Sequence, residues 1–293
     1  MSTTSNIKIM KFILTTLMIA GIMLVAHPAN VNAQTYAVKG KKIYTVSGPV
    51  INDGVIIVRD GKIAEVGAAN RVRIPDGVEV TEAEVVTPGF IDARTVVGLA
   101  GALNVQGNDQ DQLERSNPFQ PELRAFDAYN AREVLVEWLR NLGVTTIHTG
   151  HGPGAIASGQ TMIVKTTGGT VDEALIDEVT MVAFTLGSSV TSNYSSVGSR
   201  SRTVAMLRSE FLKAQEYDKK VKNAGDDSSK LPSRDLKMEI MAKVLNKEVK
   251  ALITAHKVTE IMAALRLQRE FGFDLILDGA AEAYLVLDEI KKA

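Results

Sequence analysis

The sequence predicts an α/β protein in which a short β-rich segment precedes a longer region of alternating strands and helices. Glycine-punctuated β-branched runs dominate residues 36–86, whereas after Pro88 short apolar runs alternate with amphipathic stretches of helical period. A folded core agrees with the composition, since 45% of the 293 residues are hydrophobic. Buried strands that alternate with helices predict βα units and a parallel sheet, which forms either a barrel or an open doubly wound sheet.

Charge and cysteine content exclude several classes of function. The 33 basic and 34 acidic side chains leave a net charge of −1, so the chain lacks the basic field that generic nucleic-acid binding requires. The sequence contains no cysteine, which excludes disulfides, thiolate nucleophiles and cysteine-ligated metal sites. Since no glycine-rich phosphate loop follows a predicted strand, a nucleotide-binding fold lacks its signature.

Residues 1–33 have the pattern of a secretory signal peptide. Lys8 and Lys11 precede an uncharged apolar run over 12–26, and small residues ending at Ala33 resemble a cleavage site. The run of about 15 residues is short for a membrane span, which needs roughly 20. We therefore predict cleavage after Ala33 and a periplasmic or secreted protein that does not remain in the membrane. An uncleaved anchor is the alternative.

Residues 34–85 are predicted to form a small β domain. Asp60-Gly61 between two apolar runs is a strong hairpin signal, and Gly48-Pro49 marks a turn. We expect these residues to form a small antiparallel sheet. Its predicted strands cover 42–46, 55–58 and 63–66. Another short strand opens at Asp76-Gly77 and runs through Val80, and Val85-Val86 leads into Thr87-Pro88-Gly89.

Residues 86–293 carry the alternating pattern. The first predicted helix ends at Gly143, and a β-branched strand follows directly. One apolar face of this helix is formed by Ala131, Val134, Leu135, Trp138 and Leu139. The predicted helices cover 127–142, 203–224, 234–245, 258–271 and 280–290, and the predicted strands cover 144–148, 161–165, 181–186, 250–255 and 273–277.

Two histidines frame the end of the strand predicted over 144–148. His148 and His151 are three residues apart in His-Thr-Gly-His, followed by a glycine-rich stretch over 150–154. The spacing allows both side chains to enter one site. Alternatively, they are incidental in a glycine-rich turn, or the backbone N–H groups of 150–154 bind an anion.

The stretch from Val86 to Gly98, Val-Thr-Pro-Gly-Phe-Ile-Asp-Ala-Arg-Thr-Val-Val-Gly, closely resembles the amidohydrolase superfamily. In that superfamily a β-sandwich segment leads into a P-G-(F/L)-I-D-x-H-x-H motif at the end of the first barrel strand. Residues 52–63 resemble the sandwich segment, and 253–256 and 271–279 resemble the ends of the fifth and sixth strands. The closest branch is the imidazolonepropionase-like one. The resemblance implies a composite β-sandwich domain, a TIM-like barrel with its site at the carboxyl ends of the strands, and hydrolysis of C–N bonds other than peptide bonds.

The resemblance also implies a divalent metal, zinc, which activates water and polarises a carbonyl. Arg94 and Val96 occupy the two histidine positions of H-x-H, and Asp278 stands in place of the sixth-strand histidine. His256 alone matches a metal-ligand position. A guanidinium has no acceptor, and at about 4 Å a unit charge pair costs about 4 kcal/mol at an effective dielectric of 20. We therefore expect the zinc site to be absent or weak.

Further expectations concern the neighbours of these positions. Arg94 is expected to pair with Asp278 across the barrel mouth in place of the metal. Glu282 lies four residues after Asp278 at a helix entry and is expected to cap the helix rather than to act as an acid or base. Lys165 is a candidate for the bridging lysine of two-metal members. Together with Arg94, the residues expected to line the pocket are His148, His151, Asp278 and Glu282.

Two hypotheses for function follow. The chain is either a metal-dependent hydrolase of a small-molecule or peptide-like substrate, or a pseudoenzyme that keeps the fold as a non-catalytic binding or partner subunit. The second hypothesis is compatible with a homo-oligomer. Residues 86–293 number 208, fewer than the roughly 250 of a full barrel. We therefore expect a C-terminally truncated family member with an incomplete barrel.

Overall fold

A computed structural model describes residues 35–102 and 110–293, and the described part of the chain divides into two compact units, one that ends at Pro88 and one that begins at Gly89. The signal peptide predicted over 1–33 lies outside the described residues. Within the described ranges, no helix is both long and apolar enough to cross a membrane.

Residues 35–88 form one four-stranded sheet in the order β3-β2-β1-β4. The β1–β2 and β2–β3 pairs are antiparallel, and Asp60 and Gly61 close the predicted β2–β3 hairpin with positive φ angles of 52° and 71°. The strands are β1 (Tyr36–Ile43), β2 (Ile51–Arg59), β3 (Lys62–Ala68) and β4 (Glu79–Val86).

One prediction for this unit needs correction. β4 pairs with β1 in parallel, from Tyr36 opposite Glu79 to Ile43 opposite Val86, so the sheet is not entirely antiparallel. The reason is the connection over 69–78, which carries the chain to the far side of β1. The described residues of this unit form one sheet, with a small core on one face around Ala37, Val55, Ile57 and Val72, so the second sheet of the expected composite sandwich is not shown among them.

Gly89–Ala293 builds a curled half-barrel on a six-stranded sheet of order β10-β9-β8-β7-β6-β5. The β5–β6, β8–β9 and β9–β10 pairs are parallel, whereas β7 is antiparallel to both of its neighbours. The strands are β5 (Phe90–Thr95), β6 (Val144–Gly150), β7 (Ala157–Lys165), β8 (Leu175–Thr185), β9 (Lys250–Ala255) and β10 (Leu275–Gly279).

The reversed strand β7 contradicts the prediction of a parallel sheet. Residues 151–156 connect β6 to β7, and a parallel crossover needs a dozen or more residues. The chain therefore turns back on itself at this point. The sheet remains compatible with an incomplete barrel, because its other five strands share one direction.

Seven α-helices accompany the second sheet in the described residues. The predicted strand over 250–255 and helix over 258–271 are confirmed at the same bounds, whereas the helix predicted over 127–142 begins only at Val134. A short 3₁₀ turn and a final helix replace the one predicted over 280–290. The helices are α1 (Val134–Asn141), α2 (Val171–Ala174), α3 (Ser188–Asn193), α4 (Arg200–Ala224), α5 (Leu236–Leu245), α6 (Val258–Phe271) and α7 (Leu287–Lys292).

The main core lies between this sheet and helices α4, α5 and α6. Phe211 of α4 stacks against Phe271 and Phe273 with ring centroids 4.9 and 5.0 Å apart. On α1 the buried residue is Val136, at 1% exposure, whereas Trp138 is 56% exposed. The apolar face predicted for this helix is therefore confirmed only in part: Ala131 and Leu139 pack against the same core cluster as Val136, whereas Val134 and Trp138 are exposed.

Candidate functional site

Polar side chains gather at one end of the second sheet. The carboxyl ends of β5, β6, β8, β9 and β10 lie at the same end, since these strands share a direction, and the reversed strand β7 begins there. In α/β folds this end collects functional groups. We call the following residues the sheet-end cluster: Arg94, His148, His151, Thr161, Thr254 and Asp278.

Arg94 is held by backbone carbonyl groups near the end of β5. Its Nη1 donates to the oxygen of Thr95 at 3.0 Å and its Nη2 donates to the oxygen of His151 at 2.6 Å. Burial lowers the pKa of Arg94, and the carboxylates of Asp278 and Asp92 partly oppose this effect. The guanidinium therefore ties β5 to the loop that follows β6.

His148 is buried on β6 with both ring nitrogens engaged. Nδ1 lies 2.9 Å from the carbonyl oxygen of Ala93, and Nε2 lies 2.7 Å from Oγ1 of Thr161. A carbonyl only accepts, so Nδ1 carries the proton, and in the neutral ring Nε2 accepts from the threonine hydroxyl. Burial lowers the pKa of His148, and the positive charge of Arg94 lowers it further. The ring is therefore set up as a neutral imidazole.

His151 is buried in the loop between β6 and β7. Its Nδ1 lies 3.0 Å from the carbonyl oxygen of Gln160, so this nitrogen also donates. Burial lowers the pKa of His151, and Arg94 contributes in the same direction. The lone pair of the neutral ring is then on Nε2. Gly159 has a φ of 137°, and a Cβ at this position would lie 2.6 Å from Nδ1 of His151, which explains the glycine.

Asp278 on β10 is bound to the neighbouring strand. Its Oδ2 accepts from Oγ1 of the buried Thr254 on β9 at 2.7 Å. The ion pair predicted between Arg94 and Asp278 is not formed, because no nitrogen–oxygen distance between these two described residues falls within 4.0 Å. The two strands are the opposite edges of the sheet. Asp278 nevertheless raises the pKa of Arg94 through space, so the curl brings the two charges within electrostatic range.

His256 and Glu282 lie at the start of α6. The side chain of His256 is exposed, and its backbone N–H donates to Oε2 of the buried Glu260 at 3.0 Å. Glu282 accepts from the backbone N–H of Val258 at 2.7 Å. A carboxylate at this position satisfies a free helix N–H and interacts favourably with the helix dipole. Glu282 therefore contacts the N-terminus of α6, and not the entry of the helix predicted over 280–290 that it was expected to cap.

Lys165 lies away from the cluster. It pairs with Thr146 in the β6–β7 register, and its Nζ donates to Oγ1 of Thr146 at 3.1 Å. This contact lies toward the amino end of β6, whereas His148 and His151 lie at its carboxyl end. The structure therefore gives no support to Lys165 as a bridging ligand.

Sequence reasoning did not single out the residues that orient these groups. Thr161 fixes His148, Thr254 fixes Asp278, and Glu260 holds the backbone at His256. Both threonines occur within apolar strand runs, where threonine is an ordinary strand former. For Thr254 the detectable signal is a hydroxyl residue next to the end of a buried strand, whereas Thr161 lies in the middle of β7 and offers no such signal.

The donor atoms do not assemble a metal centre of ordinary composition. Among residues 35–102 and 110–293, no three or more histidine, aspartate or glutamate side chains are grouped so that they could hold a metal ion. Arg94 offers no acceptor and Val96 no polar atom. These residues therefore do not fit the zinc site that the resemblance implies.

Comparison with solved structures identifies a similar fold. A crystal structure of an amidohydrolase from Thermotoga maritima MSB8 matches with a TM-score of 0.78 and 27% identity, over 86% of this chain and 66% of that one. The chain thus spans 66% of the length of that protein. This similarity supports a relationship to the amidohydrolase superfamily.

The other comparisons add little. The ochratoxinase of A. niger matches at 17% identity over 24% of this chain and 17% of that one, with a TM-score of 0.20 that is too low to support an argument. Neither the protein-family models nor the curated proteins compared with the chain gave a match.

Proposed function

We propose that this protein is an exported relative of hydrolases that act on C–N bonds other than peptide bonds, and that it works as a non-catalytic binding or partner subunit. The fold carries the first half of the proposal, through the similarity to the Thermotoga maritima amidohydrolase. Arg94 supports the non-catalytic role. The ligand of this subunit is proposed to be a small molecule or a peptide-like segment, in keeping with the substrates of such hydrolases.

The guanidinium of Arg94 is the observation that favours the binding role over metal-dependent catalysis. It stands where the superfamily motif has a metal-ligating histidine, and two carbonyl oxygens hold it there. Because it stays protonated and carries no lone pair, it repels a cation instead of binding one. At a distance of about 4 Å the repulsion of a divalent ion amounts to several kcal/mol even at an effective dielectric of 20.

The polar groups of the sheet-end cluster suit binding. His151 keeps a ring nitrogen with a lone pair, and Asp278 keeps acceptor capacity beyond its bond to Thr254. Arg94, His148 and Thr254 are each fixed by hydrogen bonds. Such a rigid set orients a bound group at little entropic cost.

Catalytic hydrolysis with a divalent metal is the second candidate, and the match to an amidohydrolase over 86% of this chain favours it. Metal analysis of the purified full chain separates the two. We expect far less than one zinc per chain, and no hydrolysis of N-acyl amino acids or dipeptides that a chelator abolishes. Stoichiometric zinc with chelator-sensitive hydrolysis would contradict the binding role. The double variant Arg94→His, Val96→His is expected to raise zinc affinity, because it removes the repelling charge and adds two donors.

A further inference from the structure

A cavity lies away from the sheet-end cluster, between helices α4 and α6. It has a volume of about 450 Å³. This size falls within the range of small-molecule sites. Its walls combine three arginines with hydroxyl and apolar side chains. The lining includes Arg200, Ser201, Arg208, Thr259 and Arg266, together with the apolar side chains of Leu186 and Val204.

The charges in this cavity are not balanced. Arg208 forms a two-oxygen contact with Glu270, with both Nε–oxygen distances at 2.9 Å. In contrast, neither Arg200 nor Arg266 has a carboxylate within 4.0 Å among the residues that the structure describes. Arg200 reaches only the hydroxyl of Thr259, at 3.2 Å. Two guanidinium groups thus face one cavity without an anionic partner.

The acidic group of the same cavity is already engaged. Glu260 is 4% exposed, and its Oε2 accepts from the backbone N–H groups of His256 and Lys257 at 3.0 and 3.1 Å. This carboxylate serves the start of α6 and forms no ion pair with Arg200 or Arg266. With Arg208 paired to Glu270, the two charges of Arg200 and Arg266 exceed the single negative charge of Glu260, so the lining keeps a net positive charge.

The geometry points to a binding site for a small organic molecule that carries a phosphate or carboxylate group. Guanidinium groups bind pairs of carboxylate or phosphate oxygens through paired N–H donors, and the hydroxyls of Ser201 and Thr259 supply further donors. The apolar wall of Leu186 and Val204 accommodates a short hydrocarbon portion. This inference is independent of the role of the sheet-end cluster.

Isothermal titration of the full chain tests the site with hexyl phosphate, inorganic phosphate and hexanol at low salt. We expect saturable one-to-one binding of hexyl phosphate, at least about tenfold tighter than inorganic phosphate, because the alkyl chain buries methylene groups against the apolar wall. Hexanol is expected not to bind. The variants Arg200→Gln and Arg266→Gln should each weaken hexyl phosphate about tenfold or more.

Arg202→Gln is the matched control, since Arg202 is an exposed residue of α4 that does not line the cavity. It should leave the affinity within about twofold, which corresponds to a few tenths of a kcal/mol. Circular dichroism checks that each variant is folded. Three results would overturn the proposal: no saturable binding of hexyl phosphate, equal affinity for inorganic phosphate, or an equal loss in Arg202→Gln and Arg266→Gln.

Discussion

Nη2 of Arg94 donates to the backbone oxygen of His151 across 2.6 Å, and this bond joins β5 to the loop between β6 and β7. It links two segments that lie 57 positions apart in the chain. The same guanidinium also holds the carbonyl of Thr95. A side chain at the position of a metal ligand therefore acts as a structural tie between neighbouring strands.

Replacing Arg94 with alanine is expected to destabilise the chain by about 1–3 kcal/mol, because two carbonyl acceptors lose a charged donor. Arg132→Ala is the control, since Arg132 is exposed and donates a single bond to the carbonyl of Gly169. We expect a loss of under about 1 kcal/mol there. Urea unfolding measures both. Equal losses in the two variants would contradict the proposed tie.

The buried histidines predict how stability depends on pH. Burial lowers the pKa of both His148 and His151 in the folded chain below the ordinary value near 6.5. Below that value the unfolded chain takes up protons that the folded chain does not. The free energy of unfolding is therefore complete above about pH 6.5 and falls as the pH decreases toward the folded values, by up to about 1.4 kcal/mol per pH unit for each ring.

Unfolding experiments between pH 5.5 and 7.5 test this expectation. His148→Gln and His151→Gln should each remove part of the slope, and the double variant should remove most of it. A slope that persists unchanged in the double variant would assign the pH dependence to other groups.

Thr254 offers a test of the polar contact at β10. Thr254→Val removes the hydroxyl that donates to Asp278, leaving a half-buried carboxylate without this donor, at an expected cost of about 1–3 kcal/mol. Thr254→Ser keeps the hydroxyl and should lose less. Thermal and urea unfolding compare the two variants. If valine is as stable as serine at this position, the bond contributes nothing to the fold.

Gly279 positions His256. Its φ is 73°, and an added Cβ would run into the imidazole ring of His256. Gly279→Ala should therefore combine left-handed backbone strain of about 1–2 kcal/mol with displacement of the ring. Gly272→Ala is the control, because Gly272 has a φ of 77° and open space around it, so only the strain applies. NMR shifts of the His256 ring should change in Gly279→Ala and not in Gly272→Ala.

Much of the local structure follows from the sequence, whereas strand direction does not. The strand over 250–255 and the helix over 258–271 follow from β-branched runs and helical periodicity, which are local properties. Apolar periodicity is the same for a strand read in either direction, so it could not reveal that β7 is reversed. The strands predicted over 144–148 and 161–165 left a connection of 12 residues, long enough for a crossover, and only the observed strands shorten it to the six residues 151–156.

The candidate site is likewise predictable from the sequence only in part. Positions at strand ends identify Arg94, His148 and Asp278 as polar groups of one region, because parallel strands align their carboxyl ends. Their partners depend on register and curl, which no local pattern specifies. For this reason the expected ion pair between Arg94 and Asp278 is replaced by separate bonds to a carbonyl and to Thr254.

The reversal of β7 also bears on the order in which the second unit folds. β6, β7 and β8 are joined by short connections and pair in sequence, so they form a meander of local contacts. β5 and β9 pair with β6 and β8 only after much longer loops have closed. Closing a longer loop costs more conformational entropy, so these parallel pairs form more slowly. We expect amide hydrogen exchange during refolding to protect the meander first and the two outer edges later.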